Sequence, residues 1–343
     1  MPDTRLPPVL PPVLPPVLPP VLPIADPILS TLPGWENGAA ARPTRLAVDW
    51  TDALRTLDVL GTVRVVTGNR SITHEKTGRF GNVDGNGPAL IVLNREVDLR
   101  VFPRHWTITV HTPEADGEAE AIRVFDRHGR AIHAIHRTAE TNAAAWDAFL
   151  ILHRAADQDA PALEPPPAPA AERPDAEIDV EGLRAAWSAM TDVHEFFGML
   201  RTFGVGRRQA LRLAGPGFAR ELPAAAVLPL LEAARDRRLD IMIFVGNAGC
   251  IQIHTGTVDH PTTANGLLRI DDTGFTLRAI QARLSSAWVV HKPTDKGGIT
   301  TVELYDDQGD NAAILCGQRD EDKPERAEWR ALAAELPALA ASL

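Results

Sequence analysis

The chain has 343 residues, 44% hydrophobic and 23% charged, with 35 Lys and Arg against 45 Asp and Glu for a formal charge of −10. That is enough chain for two ordinary domains with a sizeable core, and the acidic balance argues against general nucleic-acid or anionic-membrane binding, which needs a basic field. Two cysteines, Cys250 and Cys316, are too few for a disulfide framework and fit a reducing cytoplasm, and no stretch has the length and apolarity of a membrane-spanning helix.

From the N-terminus, PPVL repeats four times between Pro7 and Leu22. Proline at that density forbids helix, and the segment has neither the basic start nor the uninterrupted apolar core of a secretory signal. Residues 1–43 therefore read as a disordered, polyproline-like tail. Helical periodicity at Trp50–Leu60 opens a first half, 44–158. The β-rich runs TVRVVTG, ALIVL, VDLRVF, WTITVH and IRVFD follow. Residues 159–179, rich in Pro and Ala, read as a linker. The second half, 180–343, is expected to carry helices at Val193–Leu213, Ala224–Arg237 and Arg326–Leu336. Its strand runs are IMIFVG, CIQIHTG, GLLRI, WVVHK and TTVELYD. The turn signals DGNG, DRHG and DDQG make the strands antiparallel meanders.

The halves look like copies. FDRHGRAIHAIH, Phe125 to His136, aligns without a gap on YDDQGDNAAILC, Tyr305 to Cys316, and Trp146 and Trp329 follow in matching helices. The expected fold is α+β: a tandem duplication whose halves each have a large antiparallel sheet with flanking helices. A Pro/Ala linker between them would permit one half to close over the other.

Several residues invite a chemical reading. Asp192 and Glu195 form a D-x-x-E capping pattern, which makes His194 the second residue of a helix. Phe196, Met199, Leu200 and Phe203 would define its buried face. The positive end of the helix dipole favours a neutral imidazole there, the form that ligates iron, although a first-turn histidine is more commonly a polar surface residue. Arg207 and Arg208 are ordinarily solvated helix charges and alternatively a clamp for a carboxylate. Lys292 and Arg319 follow predicted strands. Phe244 sits in an apolar strand and has core packing as its default role. Period-2 alternation puts Arg100 and Phe102 on one strand face. Metal-cluster spacing, a phosphate loop, a dinucleotide fingerprint and a nucleophile elbow are all lacking.

The segments VDLRVFPRHW in the first half and WSAMTDVHEFF, RRQALRL, IMIFVGNAGCIQIHTG, AWVVHKPT and GQR in the second, together and in this order, resemble one family: the cytoplasmic haem-utilisation proteins of the HemS/ChuS/HmuS type, or hemin-degrading factors. The resemblance runs from about Thr44 to the C-terminus. It implies haem b as ligand and possible substrate, with His194 as the proximal iron ligand and Arg100 as the distal arginine from the first half. Phe102 and Phe244 would line the pocket, and Arg207, Lys292, Gln318 and Arg319 would serve the propionates and pocket wall. Cys316 stands where relatives commonly have Tyr, and His74 matches a family histidine that could hold haem transiently. Two activities follow. One is ring-opening degradation driven by an external electron donor, with iron released. The other is non-enzymatic carriage of haem from an inner-membrane importer to an acceptor. A monomer or homodimer is expected, and the remote third reading is a haem-independent binding module.

Overall fold

Some strands, residues 90–93 and 241–246 among them, alternate buried and less buried residues, the pattern that commits a ribbon to a packed face and an open one, whereas residues 299–306 are buried throughout. The computed structural model describes residues 43–85, 87–114, 118–168, 171–319 and 324–340; most of the proline-rich tail lies outside them. The first half runs β1 (Thr44–Leu46), α1 (Trp50–Ala53) with a 3-10 continuation to Leu60, and β2 (Gly61–Gly68). It goes on through β3 (Ile72–Gly78), β4 (Val83–Asp84), β5 (Leu90–Leu93), β6 (Asp98–Val101) and β7 (Ile108–Thr112). It ends with β8 (Ala121–Phe125), β9 (Ala131–Thr141) and α2 (Ala143–Leu152). The second half opens with three helices, α3 (Val180–Ser188), α4 (Glu195–Phe203) and α5 (Arg207–Ala214), before β10 (Ala219–Pro223) and α6 (Val227–Asp236). Then come β11 (Ile241–Gly246), β12 (Cys250–Gly256), β13 (Pro261–Ala264), β14 (Leu267–Asp272) and β15 (Phe275–Ile280). The last elements are β16 (Leu284–Lys292), β17 (Ile299–Asp306), β18 (Asn311–Gly317) and α7 (Ala327–Ala340).

The strands form two antiparallel nine-stranded sheets of one topology. Sheet A runs β1-β7-β8-β9-β2-β3-β15-β14-β13 and sheet B runs β10-β16-β17-β18-β11-β12-β6-β5-β4. Each strand of the first half thus matches the strand nine places later. The expected α+β duplication is present, but the halves are interlaced, because each gives a three-stranded meander to the other's sheet. The seams are backbone ladders, with Glu75 opposite Thr276 between β3 and β15, and Ile251 opposite Arg100 between β12 and β6. Closure of one half over the other would have to break these ladders, so the expected hinge motion is not available to this fold.

The duplicated turn confirms the matching. Asp126 Oδ1 accepts from the N–H groups of His128 and Arg130, and Asp306 Oδ1 from those of Gln308 and Asp310. Gly129 and Gly309 take the left-handed values φ 78° and 87° that close both turns. Trp146 and Trp329 are fully buried anchors of α2 and α7.

Each sheet packs one face on its own helices and on the exchanged strands. Val63, Val65, Ile122 and Ile135 of sheet A meet Leu57, Trp146, Leu99 and Val101. Ile243, Val302 and Leu315 of sheet B meet Leu230, Trp329, Leu268 and Leu277. Helices α3 to α5 pack instead on the opposite face of sheet B, where Leu183, Trp187, Phe196 and Leu211 cover Trp288, Val290 and Tyr305 of β16 and β17. The continuous helix expected over Val193–Leu213 is two helices. Gly204 ends α4 in the left-handed conformation, φ 61°, and Gly206 is extended at the start of α5. No helix among the described residues is long and apolar enough to cross a membrane.

Candidate functional site

The three helices that only the second half carries among the described residues cover only the outer strands of sheet B, so the rest of that face forms a shelf beside them. His194 stands at the start of α4. It is the N-cap residue and the helix begins at Glu195, so the expected start lies two residues too early. The reason is a local Asx turn. Asp192 Oδ1 accepts from the His194 backbone N–H at 2.7 Å and lies 2.6 Å from His194 Nδ1. These bonds, the backbone one first, hold the Asp192 carboxyl below its usual range. An ionised carboxylate only accepts, so Nδ1 carries the proton. Nε2 has no hydrogen-bond partner among the described residues, and the side chain is 91% exposed. A histidine oriented by a carboxylate through one nitrogen, with the other free, is arranged as metal-binding histidines are.

Beneath α4 lies a buried ionic cluster centred on Glu303 of β17, whose side chain has no exposed surface. Arg207 approaches with Nε 2.8 Å from Oε2 and Nη2 2.6 Å from Oε1, and Lys292 Nζ lies 2.9 Å from Oε1. Thr301 and Tyr305 donate to the same carboxylate at 3.1 and 2.9 Å. Burial alone would raise the Glu303 pKa, but Arg207 and Lys292 overcome it and hold it far below the carboxylate range. Burial lowers Lys292, with Glu303 opposing, and Tyr305 is pushed up by burial and by Glu303. Two cations against one carboxylate leave a net positive charge in a place sheltered from water. The Phe196 ring centroid lies 5.1 Å from the Arg207 guanidinium and 4.6 Å from the Lys292 ammonium, a cation–π contact with both.

Registers place Ile314, Phe244, Ile253 and Asp98 in one row running from Glu303 across sheet B, with Ile251, Arg100 and Ile91 in a neighbouring row. Phe244 is half-buried on this face rather than a core residue. Apolar exposure continues at Ile91 and Leu93, 37% and 55% exposed, and at Phe197 of α4, 58% exposed. Exposed apolar residues grouped beside polar anchors mark ligand surfaces. Arg100 is held by Asp98. It lies four strands from Glu303, about 19 Å at the usual strand spacing. Phe102 follows β6, where its N–H bonds the Gly249 carbonyl at 2.9 Å.

The structure gathers His194, Arg207, Lys292 and Arg319 at one end of the shelf, and Arg100 and Phe102 at the other. Arg319 is exposed and acts electrostatically on both Asp192 and Cys316. Gln318 is half-buried and held through its backbone to Asp240. Arg208 turns away to lie against Gly309. Cys316, opposite Met242 and Thr301, is buried, and burial pushes its thiol up to about 12, Arg319 partly opposing. It is a neutral thiol at ordinary pH. His74 is wholly buried on β3, 5.0 Å from Phe275, with neither ring nitrogen hydrogen-bonded. Burial first, then His254 and Lys76, keeps it uncharged. No group of three or more His, Cys, Asp or Glu among the described residues is set to hold a metal ion.

Sequence reasoning missed Glu303. The available signal was a carboxylate in the middle of TTVELYD, since a charge inside a buried strand demands partners. It also took Asp192 for a helix cap alone.

The profile of the haemin-degrading HemS.ChuX domain matches residues 35–151 and 204–336. The hemin transport protein HmuS of Yersinia pestis is 37% identical over 298 residues, 85% of each chain. The hemin transport protein HemS of Yersinia enterocolitica is 36% identical over 83% of each. Among solved structures, holo-PhuS, a heme-binding protein from Pseudomonas aeruginosa, superposes with TM-score 0.81 at 37% identity, over 85% of this chain and 86% of that one. ChuS, an E. coli heme oxygenase, superposes with TM-score 0.78 at 35% identity over 86% and 88%.

Proposed function

The chain belongs to the haemin-degrading HemS.ChuX family, and from that premise we propose that it binds haem on the open face of sheet B through His194 and opens the ring to release iron. The observation that carries the reading is the state of His194: nine-tenths exposed, its Nδ1 fixed to the Asp192 carboxylate and its Nε2 without a partner among the described residues. The surroundings fit the ligand. The apolar shelf of half-buried Phe244 and Ile251, with Ile253 buried between them, suits a flat macrocycle. The net positive charge of Arg207, Lys292 and Glu303 suits one of its two carboxylates, with exposed Arg319 available to the other.

Iron and macrocycle bring the bond-breaking chemistry with them, and the protein's part is orientation and exclusion. In this reading His194 fixes the iron, Phe102 and Phe244 line the ring, and Arg100 supplies a cationic hydrogen-bond donor at the far end of the shelf. An external reductant provides electrons, and dioxygen provides the oxygen inserted where the ring opens. An inner-membrane importer provides haem to a cytoplasmic protein.

Relatives are named both as transport proteins and as a heme oxygenase, so the test has two stages. Hemin titrated into the protein should give a Soret shift that His194→Ala abolishes or displaces; an unchanged shift in that variant ends the assignment of His194. Reductant is then added with catalase present. Loss of the Soret band with a bilin-like product supports degradation, whereas a stable reduced complex that transfers haem to an acceptor establishes a carrier.

A further inference from the structure

Glu303 does not reach the shelf, yet it organises the residues that do. Its two oxygens take five donated hydrogen bonds, two from Arg207 and one each from Lys292, Thr301 and Tyr305. Without that carboxylate the guanidinium and ammonium would repel each other. With it they present a joint cationic surface to the Phe196 ring at 5.1 and 4.6 Å. Phe196 is itself buried, edge-on to Trp187 at 4.8 Å. It follows His194 by two residues, within the first turn of α4. The turn ahead of it is tied separately, by Thr191 Oγ1 to Glu195 at 2.7 Å and by Asp192 to His194. The height and rotation of the His194 end of α4 above sheet B are therefore set through Phe196 by two cations whose own positions are set by Glu303.

We infer that Glu303 is a positioning residue for His194, acting through Arg207, Lys292 and Phe196 to hold the imidazole where it meets the iron. This rests on the haem reading above. It separates the roles of the cations: in addition to charge for a ligand carboxylate, they are the joint between sheet and ligand-bearing helix. Removing a partner that orients a metal-binding histidine typically weakens metal binding by about 10–100-fold.

The test compares hemin affinity and the electron paramagnetic resonance signature of the ferric complex in five variants of the full chain, His194→Ala among them. Glu303→Gln should weaken hemin binding by about 10–100-fold and move the signature toward that of His194→Ala. It also leaves two buried cations unbalanced, so Glu303→Gln/Lys292→Met is made beside it. That pair restores the cluster's net charge, and it should regain thermal stability while keeping the coordination defect. Phe196→Leu leaves the Glu303 bonds in place and cuts the joint, so it should reproduce the spectral shift. Glu303→Asp, which keeps the charge, should recover part of the wild-type signature. Wild-type affinity and signature in the charge-balanced pair, or in Phe196→Leu, overturn the inference. An unchanged signature in His194→Ala would instead sink the haem reading beneath it.

Discussion

The two open sheet faces are built on one frame and filled in opposite ways. Where sheet B has Phe244, Ile253 and Met242, the matching positions of sheet A are Val66, Glu75 and Arg64, and Arg100 is matched by Arg278. Glu303 is matched by Arg123, and Cys316 by His136. The sheet A face is closed by salt bridges. Glu75 pairs with Arg64 at 3.1 Å and with Arg278 at 2.5 Å, with Arg123 and Glu118 at 3.7 Å alongside. The sheet B face keeps its apolar shelf, with the Glu303 cluster withdrawn under α4 and the Arg100–Asp98 pair at the far end. Helices α3 to α5 precede β10, whereas the residues ahead of β1 lie outside the described structure. In the haem reading one sheet is the support and the other carries the site, and a few side chains at matched positions make the difference.

The largest way to break the comparison is to separate the copies. If the halves were independent, residues 44–158 and 180–343 would each fold. The exchanged meanders predict otherwise, because each isolated half loses three strands of its own sheet and leaves long edges unpaired. Neither fragment should show a cooperative thermal transition, which forfeits a total stability of about 5–15 kcal/mol, and mixing them should restore one. Calorimetry of each fragment and of the mixture decides this.

That interlacing was beyond the reach of the sequence. Runs such as IMIFVG and TTVELYD announce strands because β-branched and apolar residues recur at strand period, and the matched DRHG and DDQG turns expose the duplication. The short edges β1, β4, β10 and β13 have too few residues to show a period. β3, ITHEKTG, is polar and β15, FTLRAI, is half so, yet these two form a seam between the halves. Which strand pairs with which depends on contacts some 200 residues apart, and no local pattern encodes them. At the proposed site, His194 and Arg100 stand out as candidates through long motifs. Glu303 does not, because a single carboxylate in a strand looks like a surface charge until its two cations arrive from α5 and β16.

Exchanging single residues between the faces comes next. Glu75→Ile leaves Arg64 and Arg278 without their shared acceptor and should cost about 3–5 kcal/mol, read from urea denaturation. Adding Arg64→Met should return much of that loss, because an apolar replacement of a buried pair is often neutral. A change on the other face, Phe244→Glu, puts a carboxylate on the half-buried part of the shelf, between Ile314 and Ile253. It should abolish the hemin-induced Soret shift at concentrations that saturate the wild type. Retention of the shift would place the ligand elsewhere.

Acid distinguishes the faces more gently. Of the four histidines that are almost wholly buried among the described residues, His74, His133 and His136 stand on sheet A and only His254 on sheet B. Burial pulls His133 and His254 down to about 3 and lowers the other two. Their folded-state values lie below the unfolded one near 6.5, so above that pH they contribute no pH dependence. As pH falls from 6.5 toward 3 the unfolded chain takes up protons that the folded chain refuses, and stability is lost. Each such histidine should cost about 1.4 kcal/mol per pH unit, or about 2 kcal/mol between pH 6.5 and 5. Hydrogen exchange at pH 5 should show β2, β3 and β9 losing protection before β11 and β18. Equal loss in both sheets would contradict the assignment.

The smallest effect tests whether the duplicated turns are energetically equivalent as well as geometrically alike. Gly129 and Gly309 both have left-handed φ, 78° and 87°, and both donate their N–H at 3.0 Å to the carbonyl of the turn's aspartate. A side chain in that conformation costs about 1–2 kcal/mol, so Gly129→Ala and Gly309→Ala should destabilise by similar amounts from backbone strain alone. At Gly309 a side chain would also meet a neighbour. A Cβ added at Gly309 would come within 3.0 Å of the Arg208 guanidinium carbon, the end of a flexible side chain that can withdraw. Combining Gly309→Ala with Arg208→Ala separates the two contributions. If the excess cost of Gly309→Ala over Gly129→Ala disappears in that background, the backbone turns are equal and the asymmetry belongs to α5, the helix that only the second half carries among the described residues.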